Sequence, residues 1–134
     1  MDSPDPSIRR DISPLSEFLN VDQDGEGTCR VSIDPVHLSQ NGTMHGGALF
    51  TMFDTAMGSA AAGHLAEGQM FVTMDIQIRY LKPIFGGVVE VRGTVLNPGR
   101  RIVQTEARAT NAGRTVASAT GSFVILDRER PTPG

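Results

Sequence analysis

The feature that most constrains the fold is a long apolar stretch at residues 41–66, NGTMHGGALFTMFDTAMGSAAAGHLA. From about Gly46 to about Ala66 it is rich in Ala, Leu and Met, and this composition over such a length predicts a helix. Its polar side chains form only a thin stripe, made by Thr51, Thr55 and Ser59. Because a helix that is apolar on nearly every side must be covered on nearly every side, we predict a central buried helix.

The chain after this helix alternates apolar and polar residues with a period of two, which is typical of half-buried strands. In the first run, FVTMDIQIRYL, the apolar residues are every second one: Val72, Met74, Ile76, Ile78 and Tyr80. Three more runs follow, at residues 88–96, 101–110 and 114–126. Short turns rich in Gly and Pro separate the runs, so we predict an antiparallel meander.

A single strand is predicted before the helix, within residues 27–38, where Cys29, Val31 and Ile33 alternate with polar residues and Pro35 limits the strand or places it at an edge. One strand, one buried helix and four further strands predict an α+β domain in which a curved sheet wraps the helix. So small a sheet cannot cover the helix on every side. We therefore expect at least a homodimer, whose interface supplies the missing cover.

Length and composition bound the remaining possibilities. The 134 residues allow one domain, predicted at 15–126, between a flexible arm at 1–14 and a flexible tail at 127–134. A formal net charge of −3 gives no electrostatic reason to expect nucleic acid or a membrane as the main partner. No apolar run reaches the roughly 18 residues of a membrane span, and no signal peptide is visible, so a cytoplasmic protein is expected.

Asp54 is the strongest functional signal, because it lies in the middle of the predicted buried helix. Burying a carboxylate without a partner costs roughly several kcal/mol, because the charge loses its hydration. Either Asp54 has a chemical task, or it lies at a crevice and is satisfied by backbone groups, by Thr51, by Thr55 or by an arginine. The sequence leaves both interpretations open.

Gly46 and Gly47 open the helix, where the first N–H groups have no intrahelical acceptor. Without a Cβ, such a turn lets a carbonyl oxygen approach and be polarised, although paired glycines before a helix are more often plain turn residues. His45, just before them, is either structural or a support for a carbonyl-binding turn. The three histidines, His37, His45 and His64, have no metal-ligand spacing, so we predict no metal.

Helix geometry separates the two candidate groups. Asp54 follows Gly46 by eight positions, which on a helix is a rise of about 12 Å. One substrate carbonyl cannot touch both groups of the same helix. If both act on one carbonyl, two helices must run antiparallel past each other, with Asp54 of one chain near Gly46 of the other, and a dimer has two such sites.

The motif GTMHGG at 42–47, an acid nine residues after its histidine, and VTMDIQIRYLKP at 72–83 resemble the hotdog-fold acyl-CoA thioesterases of the phenylacetate-degradation type. The likeness runs from about Leu15 to about Leu126. It implies a hotdog fold, in which a sheet wraps one long helix, assembled as homodimers and commonly as a homotetramer of two dimers. It also implies hydrolysis of an acyl-CoA thioester to a carboxylic acid and free CoA. No cofactor is implied, because CoA is part of the substrate.

The resemblance also implies roles for single residues. Asp54 matches the family's helix acid, which acts as nucleophile or as general base toward water. Gly46 matches the residue whose N–H polarises the thioester carbonyl, and Thr73 falls where the family has a Ser or Thr that helps place the attacking water. Many members have an Asn six residues before the His. Here that position is occupied by Ser39, so the candidates for this role are Ser39, Gln40 and Asn41.

The phosphates of CoA call for a local basic cluster on an acidic protein. The candidates are Arg79, Lys82, Arg100 and Arg101, although basic residues at turns are most often solvated surface. His45 and Gly47 complete the predicted substrate-binding set. No Ser-His-Asp or Cys-His arrangement is visible, and Cys29 has no motif around it.

Two other functions remain open from the sequence. One is a hotdog hydratase or dehydratase, which needs an acid and a histidine at the acyl chain, and an enoyl-CoA hydration assay separates it from a thioesterase. The other is a non-catalytic acyl-CoA binding module, in which Asp54 would be dispensable for ligand binding.

Overall fold

One long helix and a six-stranded antiparallel sheet form the fold of residues 13–128, the part of the chain that the computed structural model describes. The elements, in chain order, are α1 (Pro14–Phe18), β1 (Asp22–Gln23), β2 (Thr28–Ser32), α2 (Gly46–Ala62), β3 (Gln69–Tyr80), β4 (Val88–Pro98), β5 (Ile102–Asn111) and β6 (Arg114–Asp127). The predicted α+β hotdog architecture is confirmed. The predicted arm and tail lie mostly outside the described residues. No helix within 13–128 is long and apolar enough to span a membrane.

The strand order corrects one prediction about the sheet. The order is β1-β2-β4-β5-β6-β3, so β4, β5 and β6 form the predicted meander, but β3 pairs with β6 at the far edge and not with β4. The segment between β3 and β4 is no hairpin turn, because its Ile84 carbonyl accepts a hydrogen bond from the N–H of Met44, in the loop before α2. The segment between β3 and β4 thus passes beside the loop that leads into α2, and β3 lies at an edge of the sheet.

The central helix is shorter than the sequence predicts and is covered on one side. It ends at Ala62 with Gly63 as the C-cap, four residues before the predicted end. Met52, Phe53 and Met57 are fully buried against the sheet. Phe50, in contrast, is 41% exposed in this single chain. The apolar surface left uncovered lies therefore on the face of α2 that turns away from the sheet.

A close backbone approach holds α2 against the sheet. A Cβ added to Gly93 of β4 would lie 2.9 Å from the carbonyl oxygen of Ala56 and 3.0 Å from the nitrogen of Met57, both in the helix backbone. Real Cβ atoms do not tolerate such contacts with backbone, which cannot move aside as a side chain can. Gly93 therefore sets how deeply the helix sits in the sheet.

A β-bulge interrupts the pairing of β3 with β6 between Thr73 and Asp75. A bulge adds one residue to one strand, so it switches which side chains face the core. Before the bulge, Phe71 packs edge-on against Phe123, with ring centroids 5.3 Å apart. The prediction that Val72 and Met74 share the inner face with Ile76 is wrong, since they are 43% and 54% exposed.

The segment before α2 departs from the predicted strand at 27–38. Strand β2 ends at Ser32, and Pro35–His37 form a 3-10 turn. The ring of His37 is buried and bonded on both sides. Its Nε2 lies 2.6 Å from the carbonyl oxygen of Leu19, and its Nδ1 accepts from the N–H of Asp34 at 2.8 Å. This histidine joins α1 to the loop that leads into the long helix.

Replacing Gly93 by Ala is expected to lower the free energy of unfolding by about 1–3 kcal/mol, because the new methyl group overpacks against the backbone of α2. Urea denaturation measures this. The matched control is Gly86→Ala, where a Cβ meets no atom within 4 Å and the backbone is not left-handed, so the change should stay within about 0.5 kcal/mol. Equal effects of the two substitutions would contradict the close-approach interpretation.

Candidate active site

The side chains of Asp54, in the middle of α2, and Thr73, in β3, are in contact. The hydroxyl of Thr73 donates to Oδ1 of Asp54 at 2.8 Å. Only the bulge makes this possible, because strict alternation along β3 would turn Thr73 away from α2. The structure therefore brings together two residues that lie 19 positions apart in the sequence and that the resemblance names as catalytic.

The sequence led us to expect a fully buried carboxylate at Asp54, but the structure differs. In the single chain the carboxylate is half-buried and lies on the uncovered face of α2. Within residues 13–128 it forms no salt bridge, and its Oδ2 accepts no hydrogen bond. A carboxylate that is fixed through one oxygen, with the other open, is able to accept a proton from water or to attack an electrophile.

The start of α2 presents one free donor. His45 is the N-cap, and its Nδ1 accepts from the N–H of Gly47 at 2.8 Å. The carbonyl of His45 accepts from the N–H groups of Ala48 and Leu49. Among the hydrogen bonds of the described residues, none uses the N–H of Gly46. This N–H is the donor that the site offers, and the structural interpretation of His45 is the one the geometry favours.

Tyr80, the last residue of β3, touches this turn and is not among the site residues predicted from the sequence. Its hydroxyl donates to the carbonyl oxygen of Gly46 at 2.9 Å. A Cβ added to Gly46 would lie 3.3 Å from that hydroxyl oxygen. Burial of the phenol raises the pKa of Tyr80. A tyrosine at the end of an apolar strand, able to hydrogen-bond with its polar tip, was the only signal in the sequence.

A crevice of about 560 Å³ lies beside Gly46 and Gly47. Its walls are largely apolar and include Met44, Leu49, Leu81 and Ile84, with the ring of Tyr80 and the side chain of Lys82. Asp54 is not among its lining residues. This agrees with the roughly 12 Å that helix rise puts between Gly46 and Asp54 of one chain.

Three of the four basic candidates lie away from this crevice. Only Lys82 lines it. Arg79 lies beside Glu106 and Arg108 in a depression of the sheet surface. Arg100 and Arg101 are exposed at the turn between β4 and β5. The structure therefore places one predicted cation next to the helix start.

The loop candidates Ser39, Gln40 and Asn41 are not brought to Gly46 within one chain. Ser39 closes a turn, since its N–H donates to the carbonyl of Thr43 at 2.7 Å and its hydroxyl accepts from the N–H of Asn41 at 3.3 Å. Gln40 and Asn41 are exposed. None of the three lines the crevice.

The structure also describes the groups that do not belong to the site. Cys29 is 1% exposed and its thiol donates to the carbonyl of Met52. Burial, with smaller contributions from Asp24 and Glu90, raises the pKa of this thiol to about 12. No group of three His, Cys, Asp or Glu residues within 13–128 is arranged to hold a metal ion.

Comparison with known proteins gives a family for this geometry. A family model described as the Thioesterase superfamily matches residues 41–118, which contain α2, β3 and the candidate site. A Pseudomonas aeruginosa protein that bears an esterase name is 32% identical over 107 residues, covering 79% of this chain and 80% of its own. Human acyl-coenzyme A thioesterase 13 is 27% identical over 105 residues, covering 78% of this chain and 70% of its own.

Solved structures share the fold. A Bacillus halodurans protein crystallised with CoA superposes with a TM-score of 0.81 at 31% identity, covering 87% of this chain and 78% of its own. A variant of the phenylacetic acid degradation protein PaaI from Thermus thermophilus superposes with a TM-score of 0.75 at 26% identity, covering 84% of this chain and 98% of its own. The resemblance seen in the sequence is thereby confirmed.

Cys29 is expected to resist alkylation in the folded protein. A pKa of about 12 leaves on the order of one thiol in 10,000 as thiolate at pH 8, and burial blocks the reagent as well. Mass spectrometry after treatment with iodoacetamide should find the native protein unmodified and the urea-unfolded protein carrying one adduct. Rapid modification of the native protein would show an accessible thiol and would return Cys29 to the list of candidate nucleophiles.

Proposed function

We propose that this chain, which belongs to the thioesterase superfamily and is a thioester hydrolase, cleaves acyl-CoA thioesters. In this proposal the active site is formed by Asp54 of one subunit and Gly46 of another. The observation that carries this proposal is the pairing of Asp54 with Thr73 on the uncovered face of α2. The similarity to human acyl-coenzyme A thioesterase 13 and to a protein crystallised with CoA supports the substrate class.

The proposed chemistry needs one carboxylate and one donor. The thioester carbonyl oxygen accepts from the N–H of Gly46, which stabilises the negative charge that develops on it. Water attacks the carbonyl carbon while its proton passes to Asp54, or the carboxylate attacks first and water then hydrolyses the anhydride. In either case the C–S bond breaks and the CoA thiolate leaves without strong acid assistance. Thr73 holds the carboxylate and helps to place the water.

A dimer is proposed because one chain holds the two groups too far apart. Strand β3 lies at the edge of the sheet, so one side of it has no strand neighbour among the described residues. The exposed apolar side chains of Phe50, Val72 and Met74 lie on α2 and β3, the two elements that carry Asp54 and Thr73. A two-fold axis at this edge, perpendicular to α2, would cover them and run the two helices antiparallel. A further pairing of two dimers into a tetramer belongs to the same proposal.

The crevice beside Gly46 is the proposed path of the substrate to the donor. Its apolar walls suit the acyl chain or the pantetheine arm of an acyl-CoA, and Lys82 provides a positive charge for a phosphate. Among the four basic candidates, Lys82 is the one that we propose as a CoA contact. Arg79, Arg100 and Arg101 have no contact with the crevice in one chain.

Replacing Asp54 by Asn is expected to lower kcat by a hundredfold or more, since the amide can neither accept a proton nor attack. Release of free thiol from a panel of short-chain, long-chain and aryl acyl-CoAs measures the rate and finds the preferred acyl group. Asp75→Asn is the matched control, because Asp75 lies exposed just beyond the bulge, where its side chain faces away from α2. Full activity of the folded Asp54→Asn protein would contradict the proposed catalytic role of Asp54.

A complementation experiment tests whether the site is shared. Gly46→Pro removes the donor and little else, because proline suits the first position of a helix and the extended backbone of His45 suits the residue before it. Gly46→Ala, which keeps the N–H and adds a similar Cβ, controls for contact with Tyr80. Both Asp54→Asn and Gly46→Pro homodimers should be inactive.

The heterodimer of the two variants, isolated through two different affinity tags, should recover about half of the wild-type activity, since one of its two sites combines both intact groups. A heterodimer as inactive as its parents would contradict a site shared between the two chains. Sedimentation of the wild-type protein determines whether dimers or tetramers form.

A further inference from the structure

The peptide unit between Gly46 and Gly47 is hydrogen-bonded at both ends by side chains of two different elements. Its carbonyl accepts from the hydroxyl of Tyr80 in β3 at 2.9 Å. Its N–H donates to Nδ1 of His45, the N-cap, at 2.8 Å. Within a helix this carbonyl already accepts from the N–H four residues on, so the hydroxyl of Tyr80 is an additional donor that comes from another element.

This double restraint acts where the backbone is otherwise most free. Two consecutive glycines have the largest conformational freedom of any pair, and a peptide unit between them can rotate at little steric cost. The N–H of Gly46 belongs to the preceding peptide unit, whose carbonyl, that of His45, accepts from the N–H groups of Ala48 and Leu49. The two units meet at the Cα of Gly46, so a restraint on the second unit limits rotation of the first. With both units fixed, the N–H of Gly46 is the only one of the first two that stays free to donate, and its direction is set.

The two hydrogen bonds also reinforce each other. A hydrogen bond onto a peptide carbonyl polarises the N–H at the other end of the same unit, so the bond from Gly47 to His45 is strengthened by the one from Tyr80. Because Nδ1 of His45 accepts, the proton of the neutral ring is on Nε2. The aromatic ring of Tyr80 lies against Gly46, and its Cζ is 3.4 Å from where a Cβ would be.

We propose that Tyr80 is a positioning residue: its hydroxyl holds the peptide unit that follows the Cα of Gly46, and this keeps the N–H of Gly46, in the unit before, directed at the thioester carbonyl. This rests on the proposed function, which makes that N–H the polarising donor. Tyr80 acts through Gly46 and His45 and transfers no proton to the substrate. Its loss should therefore affect the chemical step more than substrate binding.

The test is Tyr80→Phe, which keeps the ring against Gly46 and removes only the hydroxyl. We expect kcat to fall about fivefold to tenfold on the best acyl-CoA of the panel, the scale of one lost hydrogen bond, with KM changed less than about twofold. Thr120→Val, which removes an exposed hydroxyl from β6, is the matched control and should leave both constants unchanged.

A second measurement needs no variant of Tyr80. The chain has one tyrosine and no tryptophan, so its ultraviolet absorbance on alkaline titration reports Tyr80 alone. Burial raises the pKa of Tyr80 above its ordinary value of 10.0, and donation to the Gly46 carbonyl further favours the neutral phenol. The folded protein should therefore ionise this tyrosine at higher pH than the urea-unfolded protein does.

The outcomes separate this inference from the proposed function. If Tyr80→Phe keeps wild-type kcat while Asp54→Asn is inactive, the positioning role is wrong and the proposed function stands. The same holds if Tyr80 titrates alike in the folded and unfolded protein, or if Tyr80→Phe only lowers thermal stability and raises KM. If the wild-type protein hydrolyses no member of the panel, both fall. A lower kcat with an unchanged KM and an elevated tyrosine pKa supports the inference.

Discussion

The contact between the backbone of α2 and Gly93 of β4 is the constraint on which the rest of the structure depends. With no side chain between them, the helix sits deep in the sheet and buries Met52, Phe53 and Met57 completely. The same depth brings Asp54 within hydrogen-bonding distance of β3. A helix held farther out would need a longer residue than Thr73 to reach the carboxylate, so the packing of the core and the geometry of the site are one arrangement.

The β-bulge in β3 places a polar side chain of the strand next to Asp54. It turns Thr73 toward the helix and leaves the apolar Val72 and Met74 on the outside, at an edge of the sheet. Bulges often occur next to active sites, because the extra residue changes which side chains of the strand face the core. In this chain the same bulge also exposes the apolar side chains that a second subunit would cover.

The sequence predicted the parts of this structure that depend on composition and local pattern. The apolar run predicted α2, the period-two runs predicted β3 to β6, and the turn at 111–114 forms with positive φ at Ala112 and Gly113, as a tight hairpin requires. The place of β3 in the sheet could not be predicted, because the segment from Leu81 to Gly87 crosses the molecule and only tertiary contacts decide where it goes. The bulge was hidden for a similar reason: strict alternation in VTMDIQIRY gives no sign of an extra residue. The proximity of Asp54 and Thr73 was expected from the resemblance and not from the alternation pattern, which pointed the other way.

The crevice and the helix start differ in the kind of group that each provides. The crevice walls are side chains, among them Met44, Leu49, Leu81 and Ile84, whereas the proposed carbonyl donor at Gly46 belongs to the main chain. Nearly every point mutation changes side chains and leaves the backbone N–H in place. Under the proposed function, substitutions in the crevice change which acyl group fits and leave the donor in place. Substrate preference and the polarising donor are thereby separate, so that a mutation is able to alter the first without removing the second.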